Sequence, residues 1–235
     1  MTMSFVVFLY QAGANQGIFN ALVKQFNEGG PFMWPVLICF VIGMAIFLER
    51  LITLNMADVN TRKFIVDVKE ALQDGGFKAA EELCSQTRGP VASVFQAGLL
   101  RADEGIEAAE KAIQTYGSIE MSFLERGLVW LSLFISLAPM FGFLGTVVGM
   151  VQAFDAIEQA GDISPSLVAG GIKVALLTTV GGLMAAIVLQ VGYNYCVSKI
   201  DRLVIEMEES STVLIDSMAL LSQGKDLNIP QTSEE

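Results

Sequence analysis

Apolar and polar positions alternate along this chain in two regimes: long uncharged runs, and helical stretches with one apolar face. The longest uncharged run is Gly127 to Phe154, with the glycine-rich core LAPMFGFLGTVVGMVQAF. At about 1.5 Å of rise per residue it spans a hydrocarbon core of about 30 Å with a turn or so to spare at each end. Two further runs meet the same test: Pro31 to Leu48, closed by Glu49 and Arg50, and Val174 to Ser198, between Lys173 and Lys199. The pattern predicts an all-α membrane protein with transmembrane helices over 31–48, 127–154 and 167–198 and long helical extensions on the cytoplasmic side.

Ahead of the first span, in the segment 1–30, Ile18, Phe19, Leu22, Val23 and Phe26 fall at helical spacing before Gly29, Gly30 and Pro31. This predicts an amphipathic helix lying on the outer membrane surface. A cleaved signal over Phe5 to Tyr10 is the rival reading, but no basic residue precedes it and the first lysine is Lys24. The segment 49–126 turns polar and helical, with Gly75-Gly76 and Gly89-Pro90 as punctuation, so helices are expected near 57–73, 77–87 and 90–102. A last helix from about 104 is expected to run straight into the second span, because Gly117 is its strongest breaker. A short loop, 155–166, joins the second and third spans. Beyond the third, 199–235 begins with Ile200, Val204, Met207, Ser211, Leu214, Met218 and Leu221, which alternate steps of four and three. That seam fits packing within one subunit or between subunits. The tail after Gly224, with Pro230, is expected to be frayed.

Charge fixes the orientation. Nine of the fourteen Lys and Arg lie between Arg50 and Arg126, none lies in 155–166, and Lys199, Arg202 and Lys225 follow the third span. The N-terminus is therefore expected outside and the C-terminus inside. The formal net charge of -11 excludes a basic nucleic-acid footprint. Cys39, Cys84 and Cys196 are read as free thiols. With no histidine, no closely spaced cysteine pair, no phosphate-binding loop and no dinucleotide fingerprint, neither an enzyme, a metal site nor a cofactor is expected.

Candidate chemistry is confined to the faces of two spans. In the second, Pro139, Gly142, Thr146, Gly149 and Ala153 share one helical stripe, with Gly145 a Gly-x-x-Gly step after Gly142 and four residues before Gly149. In the third, Thr179, Gly182, Ala186, Gln190 and Asn194 share a narrow arc, with Thr178 beside it. The glycines suit close approach of membrane helices, and a membrane threonine by default bonds the carbonyl four residues back. Gln190 and Asn194 are polar groups of the kind that face a bundle interior or a wet cavity. No Asp or Glu lies inside any span, so a proton-conducting role needs a carboxylate from a second polypeptide. Lys173 either snorkels to the outer interface or pairs with Asp155, with Asp162 or with an acidic partner.

The stretch LERGLVWLSLFISLAPMFGFLGTVVGMVQAF at 124–154, followed by GIKVALLTTVGGLMAAI at 171–187, resembles the MotA/TolQ/ExbB proton-channel family. The resemblance implies a homo-oligomeric, pentameric helical bundle around a central pore in a bacterial inner membrane. It further implies an ExbD-like single-span subunit inside that pore, whose aspartate takes up the proton, and a TonB-like protein energised for outer-membrane transport. On the matching motifs Thr146 and Thr179 face the pore. ExbB members carry a glutamate where Val174 stands here, just after Lys173, which leaves the partner's aspartate as the membrane acid. A TolQ-like subunit energising envelope integrity and constriction, and a non-conducting membrane scaffold, are the alternatives.

Overall fold

The computed structural model describes residues 18–58, 61–161 and 165–223, which are helical almost throughout. The helices are α1 (Ile18–Glu28), α2 (Met33–Ala57), α3 (Thr61–Gln86), α4 (Pro90–Leu99), α5 (Ile106–Glu125), α6 (Leu128–Ala160) and α7 (Pro165–Ser222), with one 3-10 turn at Ala102–Glu104. Among the described residues, three helices are long and apolar enough to cross a membrane; α2, α6 and α7 cover the expected spans from Met33, from Leu128 and over 167–198. The stretch Phe5 to Tyr10, Asp162 and the tail after Gly224 lie outside the described residues.

Several boundaries follow from backbone chemistry. α1 ends as expected before Gly29 and Gly30, the latter at φ 74°. The stop at Gly75-Gly76 is an interruption within α3, where Gly76 takes φ 69° and ψ -163°. α7 continues through Lys199 without a break, as the third span was expected to do. The helix from 104 does not run into the second span, however. Arg126 turns extended at ψ 130° and Gly127 takes φ 89°, so α5 and α6 are separate helices. Gly127 serves as the left-handed residue just past a helix end, although the sequence read it as the first residue of the span.

The chain divides into two compact units. One comprises the chain up to Phe47 together with Trp130–Tyr193. Its interior is rich in small residues: Ala138, Ala175, Thr178 and Ala185 are buried, as are Gly142, Gly145, Gly149 and Gly182, beside Val36, Leu131 and Leu189. Large apolar side chains point outward, with Phe143 66% and Val191 68% exposed. Small residues inside and large ones outside is the arrangement expected where lipid, not water, is the solvent.

The other unit comprises Leu48–Val129 and the chain from Asn194 onward. It has an ordinary apolar core, in which Phe64, Val68 and Leu72 of α3 and Phe95 of α4 meet Ile113 of α5 and Met207, Leu214 and Met218 of α7. The seam on α7 is therefore filled from within the same chain. Burial pushes the Cys84 thiol up to about 12, with the Glu81 charge adding to it, which leaves it an inert part of this core.

Beside that core, Asp58 pairs with both Lys199 and Arg202, and Arg202 also bonds Glu206 at 3.1 Å. The Asp58 carboxyl is held below the ordinary carboxylate range, chiefly by the hydrogen bond from Lys199. A depressed native pKa stabilises the fold fully above the unfolded value of about 3.9, and the gain is lost only as pH falls through the lower native value. Asp58→Asn should thus lower stability by about 1–2 kcal/mol, between the ranges for exposed and buried pairs. Melting in detergent checks this: the deficit should be flat from pH 5 to pH 8 and close only at strongly acidic pH.

Candidate functional site

The glycine stripes bring α6 and α7 into backbone contact. A Cβ placed on Gly182 would lie 2.5 Å from the Ala138 carbonyl oxygen, and one on Gly142 would lie 2.8 Å from that of Thr178. Gly149 sits against Ala175 in the same way, and Gly171 against Ala153. Such an approach places side chains of the two helices that flank the seam within bonding reach.

Two of them meet. The Thr146 and Thr179 hydroxyls are hydrogen-bonded to each other. Thr146 Oγ1 also lies 3.2 Å from the Gly142 carbonyl oxygen, and Thr179 Oγ1 lies 3.3 Å from the same oxygen. Each hydroxyl has one proton to donate and two lone pairs. One proton is used between the threonines and the other satisfies the carbonyl, so the pair retains lone pairs that can accept from an incoming donor. Both residues are half-buried, which leaves that capacity accessible from one side. The pair is neutral and can order or relay a proton without storing one.

Thr178 does something different. It is 1% exposed, donates to the Ala175 carbonyl at 2.8 Å, and would lie 2.7 Å from a Cβ on Gly145. It therefore packs between the spans and does not line a lumen, contrary to the expectation that grouped it with Thr179. The signal was present in the sequence: Ala175, Thr178, Gly182, Ala185, Leu189, Gly192 and Cys196 follow the three-four spacing of the buried face. Pro139 and Ala186 flank that seam half-buried, and α6 continues through the proline. Gln190 and Asn194 are exposed, with Gln190 about 16 Å along the helix from Thr179 at 1.5 Å per residue. They share an arc with the threonine but lie turns of helix away from it.

Lys173 is paired with Glu28 at 2.9 Å. Of the partners the sequence offered, Asp155 is exposed and makes no ion pair among the described residues, and Asp162 lies outside them. No three potential metal ligands cluster among the described residues.

The sequence profile of the MotA/TolQ/ExbB proton channel family matches residues 86–209, more than half of the chain and including both threonines. The chain belongs to this family. A biopolymer transport protein ExbB homolog of Methanothermobacter thermautotrophicus is 32% identical over 184 residues, 78% of this chain, and the match spans 65% of that relative's length. The biopolymer transport protein exbB1 of Vibrio cholerae is 26% identical over 197 residues, 81% of this chain and 86% of the relative. The fold is that of a chain in the Campylobacter jejuni MotAB structure, with a TM-score of 0.58 at 15% identity, covering 100% of this chain and 98% of that one. The family match begins at Gln86, so α1, the first span and the Glu28 partner of Lys173 lie outside it.

Proposed function

We propose that this chain is the channel-body subunit of an ExbB–ExbD-type motor, a bundle of several copies around a central pore in the inner membrane, and not an enzyme. The observation that carries the reading is the half-buried Thr146–Thr179 pair in spans that contain no carboxylate. A hydroxyl pair orients a proton carrier and a carboxylate loads one, so the two halves of the site come from two polypeptides. The second is a single-span, ExbD-like subunit with a membrane aspartate. In this reading the N-terminus lies outside and the C-terminus inside, which the lysine and arginine distribution supports. One charge falling through 100 mV releases about 2.3 kcal/mol, so a few protons drive a useful step. The work is delivered to a TonB-like protein for outer-membrane transport, a role supported by the transport-protein names of the ExbB relatives.

The test is proton flux into liposomes holding the chain alone, or with the single-span subunit, whose aspartate is intact or changed to asparagine. Flux only with the intact aspartate is expected. Equal flux from this chain alone would place the proton path elsewhere, and silence from a verified assembled complex would favour a scaffold.

A further inference from the structure

Between α1 and α2 the chain crosses the end of α7 that carries Lys173, and each step of the crossing is fixed. Phe26 of α1 meets Trp34 of α2 edge-on, with ring centroids 5.2 Å apart. Gly29 closes α1 with its N–H on the Gln25 carbonyl at 3.0 Å. Gly30, at φ 74°, passes so near Val174 that a Cβ there would lie 3.3 Å from its Cγ1. Phe32 then fills the space over Gly145, its Cβ 3.0 Å from where a Gly145 Cβ would stand, and Met33 fills that over Gly181 with its Cε also at 3.0 Å. Gly145 precedes Thr146 in the chain and Gly181 follows Thr179 by two residues. The segment 28–33 thus forms a strap packed on both helices, on Gly145 of α6 and Gly181 of α7, at the level of the threonine pair but on other faces.

The strap's polar fastening is the Lys173–Glu28 pair. The Glu28 carboxyl is held below its ordinary value, first by the Lys173 hydrogen bond and to a lesser degree by the charges of Lys173 and Lys24, so Glu28 stays ionised throughout the neutral range. An exposed ion pair contributes little to stability. Its consequence lies in register: it decides where along α7 the strap sits, and hence which residues cover Gly145 and Gly181.

We propose that Lys173 is a positioning residue for proton conduction, which fastens Glu28 so that Phe32 and Met33, packed on Gly145 and Gly181, keep α6 and α7 in the register that pairs Thr146 with Thr179. The inference rests on the channel reading above. It follows that reversing either charge disturbs the threonine pair without touching it, and that reversing both restores it.

The experiment uses the full chain assembled with its single-span subunit in liposomes, as wild type, K173R, K173E, E28K and E28K/K173E. Flux is read beside the mobility of a nitroxide on Asn27→Cys, an exposed position in a chain whose three native cysteines are buried. K173E and E28K should each cut flux by about five-fold or more, the lower end of coupling between distinct sites, and should mobilise the label. K173R should keep both properties, and the charge swap should recover at least half of the flux and immobilise the label again. Wild-type flux in K173E, or a swap no better than the single reversals, overturns the proposal. If the wild type passes no protons, the channel reading falls separately. The label then still decides the fastening: mobility gained in K173E and lost in the swap supports it, and an unchanged spectrum overturns it.

Discussion

Thr179→Val should abolish proton flux through the assembled complex while leaving assembly and thermal stability nearly unchanged. Valine matches threonine in shape and removes only the hydroxyl. The Thr146 hydroxyl is not orphaned by the change, because the Gly142 carbonyl stays 3.2 Å away. The stability cost should accordingly stay within about 1 kcal/mol, in line with membrane side-chain hydrogen bonds. Conduction should fall at least about ten-fold, which needs only about 1.4 kcal/mol on the barrier, while Thr179→Ser should retain most of it. Thr146→Val should behave similarly, and the double variant should be little worse than either single one, because the two hydroxyls act through one shared bond. The measurements are flux in liposomes and copurification of the single-span subunit. Wild-type flux in an assembled Thr179→Val complex would remove the threonine pair from the proton path.

The three spans were legible because an uncharged run of bilayer length needs no tertiary context to be read. The interruption at Gly75-Gly76 and the unbroken α7 were legible for a related reason, since glycine pairs and their absence act locally. The break at Arg126 and Gly127 was not, because the same glycine suits the start of an apolar run and the left-handed end of a helix. The seam from Ile200 to Leu221 showed its period but not its partner, which heptad spacing does not name; the structure supplies Phe64, Phe95 and Ile113 from the same chain. Within the site, Thr146 and Thr179 lay on the stripes drawn from helical geometry, and their family motifs singled them out. Thr178 was misplaced although its three-four spacing with Ala175, Gly182 and Ala185 was in the sequence: adjacent helical residues point about 100° apart, and the contact with Gly145 shows that this face is the buried one. The Glu28 partner of Lys173 was beyond any reading of spacing, since the two belong to helices far apart in sequence.

Gly182→Ala should lower both stability and flux, although it adds one methyl group and removes no polar atom. The added Cβ would stand 2.5 Å from the Ala138 carbonyl oxygen and 3.2 Å from the Gly142 Cα, both backbone atoms. No side chain can swing aside, so α6 and α7 must part, and overpacking of this kind costs about 1–3 kcal/mol. Working against that cost is the intrinsic preference of helices for alanine over glycine, about 1 kcal/mol. Gly117 isolates the second effect. It lies within α5, and a Cβ there meets nothing within 4 Å, so Gly117→Ala should raise the melting temperature of the complex. If Gly182→Ala melts below wild type while Gly117→Ala melts above it, the difference is the cost of separating the two spans. Flux lost in the first variant and kept in the second would tie conduction to that separation, because parting the helices breaks the Thr146–Thr179 bond. A Gly182→Ala complex that melts and conducts like wild type would mean that the backbone contact at this glycine is dispensable and that the threonines are held together by other means.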